Sequence, residues 1–348
     1  MTTWICDGCG VEHTDSDVRP PENGCVFTSE VVSMEERGDL GPHGTWTTLA
    51  ELAAQPHQTE HVDHGRGVHS LRRVPRFAIG HRTFVVQTGH GNLLWDAPGY
   101  LDDDIVSLVR GLGGVAVIAA SHPHMFGAQL SWSREFGDVP VYVNALDQEW
   151  LPRTDPVIEL WKEQVEPLPG VRLIHVGGHM RGSCVALTAD GTLLVGDTIS
   201  GGLARDWVSF QRNFPRHVPL SPAVVRRIVD RLEPFDYDRL YTLGGDEVDR
   251  DAKGVVRRSA ETHIHWASGD FDHLTLRVHL ALDYSRTSSR TGRSVSSTSA
   301  TPAIAAPPSG AGPPSLLEKA SSSTATPTTD TCPCNTHPPW RSRHSCSD

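Results

Sequence analysis

No uninterrupted apolar run in this chain approaches the roughly 20 residues that span a bilayer. Its start, Met1-Thr2-Thr3-Trp4-Ile5-Cys6, has neither the basic stretch nor the apolar core of a secretory signal. A soluble, cytoplasmic protein without a membrane partner is expected. Positive charge is also short: 31 Lys and Arg stand against 42 Asp and Glu, a formal net charge of -11. Neutralising a phosphate backbone needs clustered cations, so nucleic acid is excluded as the main partner. The seven cysteines, odd in number and unevenly spread, do not make a disulfide framework in 348 residues. Metal ligation or free thiols are what they leave. The chain is long enough for two or more domains and apolar enough for a real core.

Histidine, by contrast, is plentiful, with 19 in the chain. Two of them, His122 and His124, follow the apolar run Gly114 to Ile118 in the segment Ala119-Ala120-Ser121-His122-Pro123-His124-Met125-Phe126-Gly127. Side chains in extended chain alternate with period two, so residues 122 and 124 point the same way and can chelate a metal. With so many histidines, any one alone is as readily an ordinary loop residue. Two further ligand types occur later at the ends of apolar runs: His179 in Val176-Gly177-Gly178-His179-Met180, and Asp197 in Leu193-Leu194-Val195-Gly196-Asp197. Neutral imidazoles with a carboxylate suit zinc, and three or four such ligands with a position left open form a catalytic arrangement. Its metal lowers the pKa of bound water, and the hydroxide so formed attacks a carbonyl or phosphoryl group.

Near the N-terminus, Cys6-Asp7-Gly8-Cys9-Gly10 has the form of a tight turn that brings two thiolates to one metal. It resembles the first half of a zinc ribbon or rubredoxin-type domain. The second half reads Gly24-Cys25-Val26-Phe27-Thr28, with Thr28 where a fourth cysteine is expected. Cys6, Cys9, Cys25 and His13 are therefore the candidate ligands of a structural zinc, the alternative being a knuckle that binds nothing.

In chain order, residues 1–30 form this knuckle-like segment, and residues 31–74 read as linker with a short helix from Thr48 to Ala54. A domain follows over 75–272. Its strands are expected at 76–79, 83–87, 92–95, 114–118, 139–143 and 171–176, with a hairpin of 184–188 and 192–195 about Asp190-Gly191, and a late strand at 239–243. Helices are expected after Asp102, over 128–136, from Ser221-Pro222 to Glu233, and over 251–267. Strands alternating with helices imply a layered α/β (α+β) fold. Asp96, at a strand end, reads as structural. From Ser285 the chain is Ser, Thr, Pro, Ala and Gly, a composition that cannot bury enough surface to order itself, so 273–348 is expected to be a disordered tail.

The succession of a strand ending in His-x-His, a Gly-Gly-His loop and an apolar strand ending in Gly-Asp resembles the metallo-β-lactamase superfamily over roughly residues 75 to 270. That resemblance implies a four-layer αββα sandwich, with His122, His124 and His179 as ligands and Asp197 as the carboxylate that bridges two metals. Where the family has the Asp and His of HxHxDH, this chain has Phe126 and Gly127, and where a late His belongs it has Gly244-Gly245-Asp246. One zinc is therefore expected in the centre rather than two. Asp197 and Asp246 are the candidate catalytic carboxylates, with His263 and His265 as lesser candidates. Putting Asp at 126 and His at 127 would be expected to restore a second metal. The function so implied is a mononuclear zinc hydrolase of a small ester, lactone or thioester. Two alternatives stand beside it: a non-catalytic descendant whose pocket binds a small molecule or partner, and a mononuclear non-haem iron oxygenase, since two His and a carboxylate also suit iron.

Overall fold

Strict alternation along short apolar strands generates this fold, as seen in a computed structural model that describes residues 1–275 apart from 23, 28–44, 203, 214–216 and 246. Residues 31–44 of the expected linker, Thr28, Asp246 and residues 276–348 of the expected tail lie outside the described residues, while tail residues 273–275 belong to a short helix.

A two-stranded ribbon pairs β1 (Trp4–Cys6) with β2 (Trp46–Thr48). The first large sheet has seven strands in sequence order: β3 (Gln58–Asp63), β4 (Val68–Val74), β5 (Thr83–Thr88), β6 (Gly91–Trp95), β7 (Val117–Ala119), β8 (Val141–Asn144) and β9 (Ile158–Trp161). It is antiparallel as far as β6 and parallel from there to β9. The second sheet runs β10 (Gln164–Leu168), β11 (Val171–His175), β12 (Cys184–Thr188) and β13 (Thr192–Leu194). A small sheet of β14 (Ile199–Gly201), β15 (Val208–Asn213) and β16 (Val218–Pro219) follows, and β17 (Arg239–Tyr241) returns to lie parallel to β13.

Consecutive residues of the central strands enter different cores. Phe84, Val86, Leu93, Trp95, Val117 and Ala119 of the first sheet pack with Leu173, Cys184, Ala186, Leu194 and Tyr241 of the second. Their neighbours Val85, Leu94 and Ile118 face the other way, onto Ile105 and Val109 of helix α2 (Asp103–Gly111) and Leu130 and Trp132 of helix α3 (Gln129–Glu135). Ile174, Val185, Leu193 and Leu240 likewise turn outward onto Val225, Ile228 and Leu232 of helix α4 (Pro222–Leu232) and Val255 and Val256 of helix α5 (Ala252–Ala267). A strand buried on both faces has to be apolar throughout, and here each face meets a different layer. The order is therefore helix, sheet, sheet, helix.

The helices are α1 (Leu49–Ala53), α2 (Asp103–Gly111), α3 (Gln129–Glu135), α4 (Pro222–Leu232), α5 (Ala252–Ala267) and α6 (Asp272–Thr275). Thr48 caps α1 in a capping box with Glu51, and Asp102 caps α2 by accepting from the N–H groups of Asp104 and Ile105. Ser221 precedes α4 without a side-chain cap, so Pro222 at the first helical position sets that start.

Two stretches differ from expectation. Residues 58–74 are not linker but strands β3 and β4 of the large sheet. β3 is exposed along most of its length and β4 carries His69, Ser70, Arg72 and Arg73, so neither shows the apolar alternation that marks a strand. Residues 76–79, expected as a strand, form a loop and turn in which Ala78 has φ 50.

Candidate metal centre

The ends of β6 and β7 are tied together before either histidine appears. Asp96 follows β6 with φ 56, wholly buried, and its Oδ1 accepts the N–H of Ser121 at 2.6 Å. Its Oδ2 has no hydrogen-bond partner among the described residues, and burial pushes this carboxyl well above the usual range. His122 comes next in extended conformation, but Pro123 to Met125 form a 3₁₀ turn closed by Met125 N–H to His122 O at 3.0 Å. The two rings thus meet because the chain turns, not because it continues extended. Their centroids are 5.1 Å apart with planes at 86°.

His179 is carried by the loop between β11 and β12, at Gly177 (φ 67) and Gly178 (φ 98). A Cβ on Gly178 would lie 2.8 Å from Thr198 Cγ2, so glycine is required for this close approach. Thr198 fixes the loop: its hydroxyl accepts from His179 N–H at 3.1 Å and donates to Gly177 O at 2.9 Å. Asp197, its neighbour, stands just beyond β13. Gly196 before it has no room for a side chain, since a Cβ there would sit 2.5 Å from Ser121 Oγ.

The donor atoms of His122, His124, His179 and Asp197 all lie within 4.8 Å of one another. His179 Nε2 is 3.1 Å from His124 Nδ1, and Asp197 Oδ2 is 3.3 Å from His122 Nε2 and 3.7 Å from His179 Nε2. Ligands about 2.0–2.2 Å from a tetrahedral zinc are separated by roughly 3.3–3.6 Å, so the spacing fits one ion. The three imidazoles are almost fully enclosed. His122 Nδ1 faces Ser121 Oγ at 2.9 Å, and donation from that nitrogen leaves the lone pair on Nε2. That Nε2 is buried with no hydrogen-bond partner among the described residues. An orphaned acceptor aimed at two other imidazoles and a carboxylate is the feature a bound cation would satisfy. Burial, and then the nearby His81, hold His122 down to about 3. Burial is also the main cause that keeps His179 well below its ordinary value. Both rings are consequently neutral at pH 7 and able to ligate.

Asp197 is the one member with appreciable exposure, 15% of its side chain. It opens on a cavity of about 290 Å³ lined by His81, Met125, Ser200, Thr242 and Gly244. His81 was hidden in the sequence, where Gly80-His81 reads as turn punctuation. It donates from Nε2 to Asp96 O at 3.2 Å, and burial holds it below the usual imidazole range. Asp246 lies outside the described residues. His263 and His265 stand on α5 away from the centre: His263 hydrogen-bonds Leu220 O at 2.8 Å and His265 pairs with Asp270 at 2.7 Å.

Phe126 is buried, and Gly127 has φ 52 with Ala97 O only 2.0 Å from where its Cβ would be. The expectation that His at 127 would restore a second metal is therefore overturned: the backbone leaves no room for the side chain that would do so.

In the N-terminal segment the donor atoms of Cys6, Cys9 and Cys25 converge within 4.8 Å, all buried. Cys9 and Cys25 sulfurs are 3.6 Å apart, close to the ~3.8 Å expected of two thiolates on one zinc. Cys6 is pulled far below the ordinary thiol range by hydrogen bonds from Cys25 and Cys9, whereas burial pushes Cys9 up. His13, the fourth candidate, is not in that group. Its ring packs edge-on against Trp46 at 4.6 Å with Nε2 buried and unpartnered among the described residues.

This segment forms part of the centre's surroundings. Phe27, two residues after Cys25, packs edge-on to the His124 ring at 5.6 Å and stacks on Trp150 at 5.8 Å. Glu12 N–H donates to Gly127 O at 3.0 Å, and the Glu12 carboxylate receives the first-turn N–H groups of α3.

No family model matches the chain. A curated relative does: the uncharacterized protein YmaE of Bacillus subtilis (strain 168), 33% identical over 287 residues that cover 78% of this chain and all of that one. The chain belongs to the YmaE family. Solved structures similar to it include DIM-1 metallo-β-lactamase, 13% identical over 60% of this chain and 99% of that one with a TM-score of 0.46. Another is TTHA1623 in a di-iron-bound form, 22% identical over 52% of this chain and 93% of that one with a TM-score of 0.39. At such scores the likeness does not bear on function. The layer order, visible in this chain itself, is that of the metallo-β-lactamase fold, and the residues that could hold a metal come in the succession the sequence resemblance implies. No helix among the described residues is long and apolar enough to cross a membrane.

Proposed function

We propose that this YmaE-family protein is a hydrolase that works with a single zinc ion held by His122, His124, His179 and Asp197, on a small ester, lactone or thioester. The observation that carries the reading is the convergence of three buried imidazoles and one partly exposed carboxylate at the spacing of a single tetrahedral ion. A zinc ion there supplies Lewis-acid polarisation of a substrate oxygen and makes water a nucleophile near neutral pH. The protein's own groups do the rest. Ser121 and Thr198 hold the His122 ring and the His179 loop in place, and the buried faces of the histidines exclude bulk water. Asp197 reaches the cavity in which a small substrate fits, and His81 lines the same cavity. The four free cysteines among the described residues, none of them bridged, suit a reducing cytoplasm.

Elemental analysis of the purified full chain, with turnover measured on a panel of esters, lactones and thioesters, tests this. One zinc in the histidine centre with hydrolysis that chelators abolish is the expected result. Iron in that centre with consumption of dioxygen would replace it with the oxygenase, and zinc without turnover with the non-catalytic protein.

A further inference from the structure

A second cavity, of about 770 Å³, has the His179 loop as one wall but contains neither His122, His124 nor Asp197. Its charge is opposite to that of the molecule. The whole chain is formally -11, yet Arg181, Arg212, Arg227 and Arg231 line this cavity with Glu149 as the one acid among the lining residues. These arginines come from three separate elements: the loop after His179, strand β15 and helix α4.

Two are already positioned. Arg212 Nη1 donates to His179 O at 2.8 Å, and Arg231 Nη1 donates to His175 O at 2.9 Å. His175 keeps Arg231 in place from the other side, its Nδ1 accepting from Nη1 at 2.5 Å while Nε2 donates to Arg181 O at 2.8 Å. The acids nearby are loosely held and exposed: Glu149 is 3.5 Å from Arg181, and Glu163 is 3.7 Å from Arg231. Arg227 lies one helical turn before Arg231, and no hydrogen bond or ion pair joins it to any described residue. Like charges four apart on a helix repel, and here two further guanidinium groups face the same space. Such a grouping is stabilised by an anion that accepts from several planar forks together.

We infer that this cavity is a binding site for a phosphate group, free or as part of a phosphoester, with Arg227 and Arg231 as the principal contacts. The site does not depend on the histidine centre being catalytic.

Isothermal titration of the full chain with inorganic phosphate and with pyrophosphate tests the inference. Saturable one-to-one binding is expected for at least one of them. Arg227→Gln and Arg231→Gln should each weaken it about tenfold or more, the loss of one charge-assisted contact. Arg205→Gln, which alters an exposed arginine paired with Asp249 outside the cavity, should leave binding unchanged. Circular dichroism of each variant confirms that it is folded. The inference is overturned by no saturable binding up to about 10 mM, where a site of even about 1 mM affinity is mostly filled. Equal weakening by Arg205→Gln, or unchanged binding in both cavity variants, also overturns it. A preference for citrate over both phosphates would make the site a carboxylate site and overturn the assignment of ligand class.

Discussion

Glu12 sits where the N-terminal segment meets the helix that follows the metal loop, and replacing it by alanine separates the two. One carboxylate oxygen accepts from the N–H of Leu130 and, at 3.2 Å, from that of Ser131; the other accepts from Ser131 N–H at 3.2 Å and from its hydroxyl at 2.6 Å. Glu12 is 2% exposed, and burial raises its carboxyl above the ordinary range in spite of these donors. Arg153 stands 3.7 Å away. Alanine leaves two first-turn amides of α3 and one hydroxyl without their acceptor, and a hydrogen bond to a charged group is worth about 1.5–3 kcal/mol. Three donors that share two oxygens do not add fully, so the expected loss is about 3–5 kcal/mol. That is a large fraction of the roughly 5–15 kcal/mol that holds a domain folded. Glu12→Gln keeps an oxygen and the shape of the side chain, and about 1–2 kcal/mol should be lost. Urea unfolding followed by tryptophan fluorescence measures both, with Trp132 on α3 itself, its indole hydrogen-bonded to Tyr100 O. A loss below about 1 kcal/mol for the alanine variant, or equal losses for the two variants, would refute the reasoning.

Three further outcomes are expected. His122→Ala and His179→Ala should each remove one equivalent of metal by elemental analysis, and Cys25→Ser the other; full content in either histidine variant would sink the ligand assignment. Phe126→Asp with Gly127→His should fail to raise metal content, because the left-handed backbone and Ala97 O exclude the new ring, and a clean gain of one equivalent would contradict that. Asp147→Asn concerns a carboxyl that burial pushes up to about 7 while its Oδ1 accepts Gly182 N–H at 2.7 Å. A folded pKa above the unfolded one means stability that is full below about pH 4 and lost as pH rises through about 7. Asparagine keeps the acceptor without the charge. Relative to wild type it should therefore gain on the order of 3–4 kcal/mol between about pH 4 and pH 8, and thermal unfolding curves with a pH-independent difference would exclude the effect.

The candidate metal ligands were legible because they stand where apolar strands end. His122, His179 and Asp197 all follow runs that alternate between two cores, and a side chain at such an exit faces the edge of the sandwich whatever the loops do. Gly178 before His179 and Gly196 before Asp197 belong to the same pattern, each required by a close approach that a Cβ would block. Other features could not be read this way. β3 and β4 are polar strands whose pairing depends on a neighbour already in place. His81 reaches the cavity from a turn with no apolar pattern around it. Phe27 and Glu12 act on His124 and α3 across more than 90 residues of chain, a distance over which spacing carries no information.

The sequence by itself determined that strands alternate with helices and that His122, His124, His179 and Asp197 are the candidate centre ligands, because hydrophobic period and residue chemistry are local properties; the four-layer order and the missing second ligand set at Phe126 and Gly127 came from the resemblance to the metallo-β-lactamase superfamily. Only the tertiary structure decided that a turn and not an extended strand brings His122 to His124, that Gly127 excludes a side chain, that His13 stands apart from the three thiols, and that four arginines from three elements share one cavity. Each of these depends on which distant surfaces meet, and that is settled by packing between elements rather than by pattern within them.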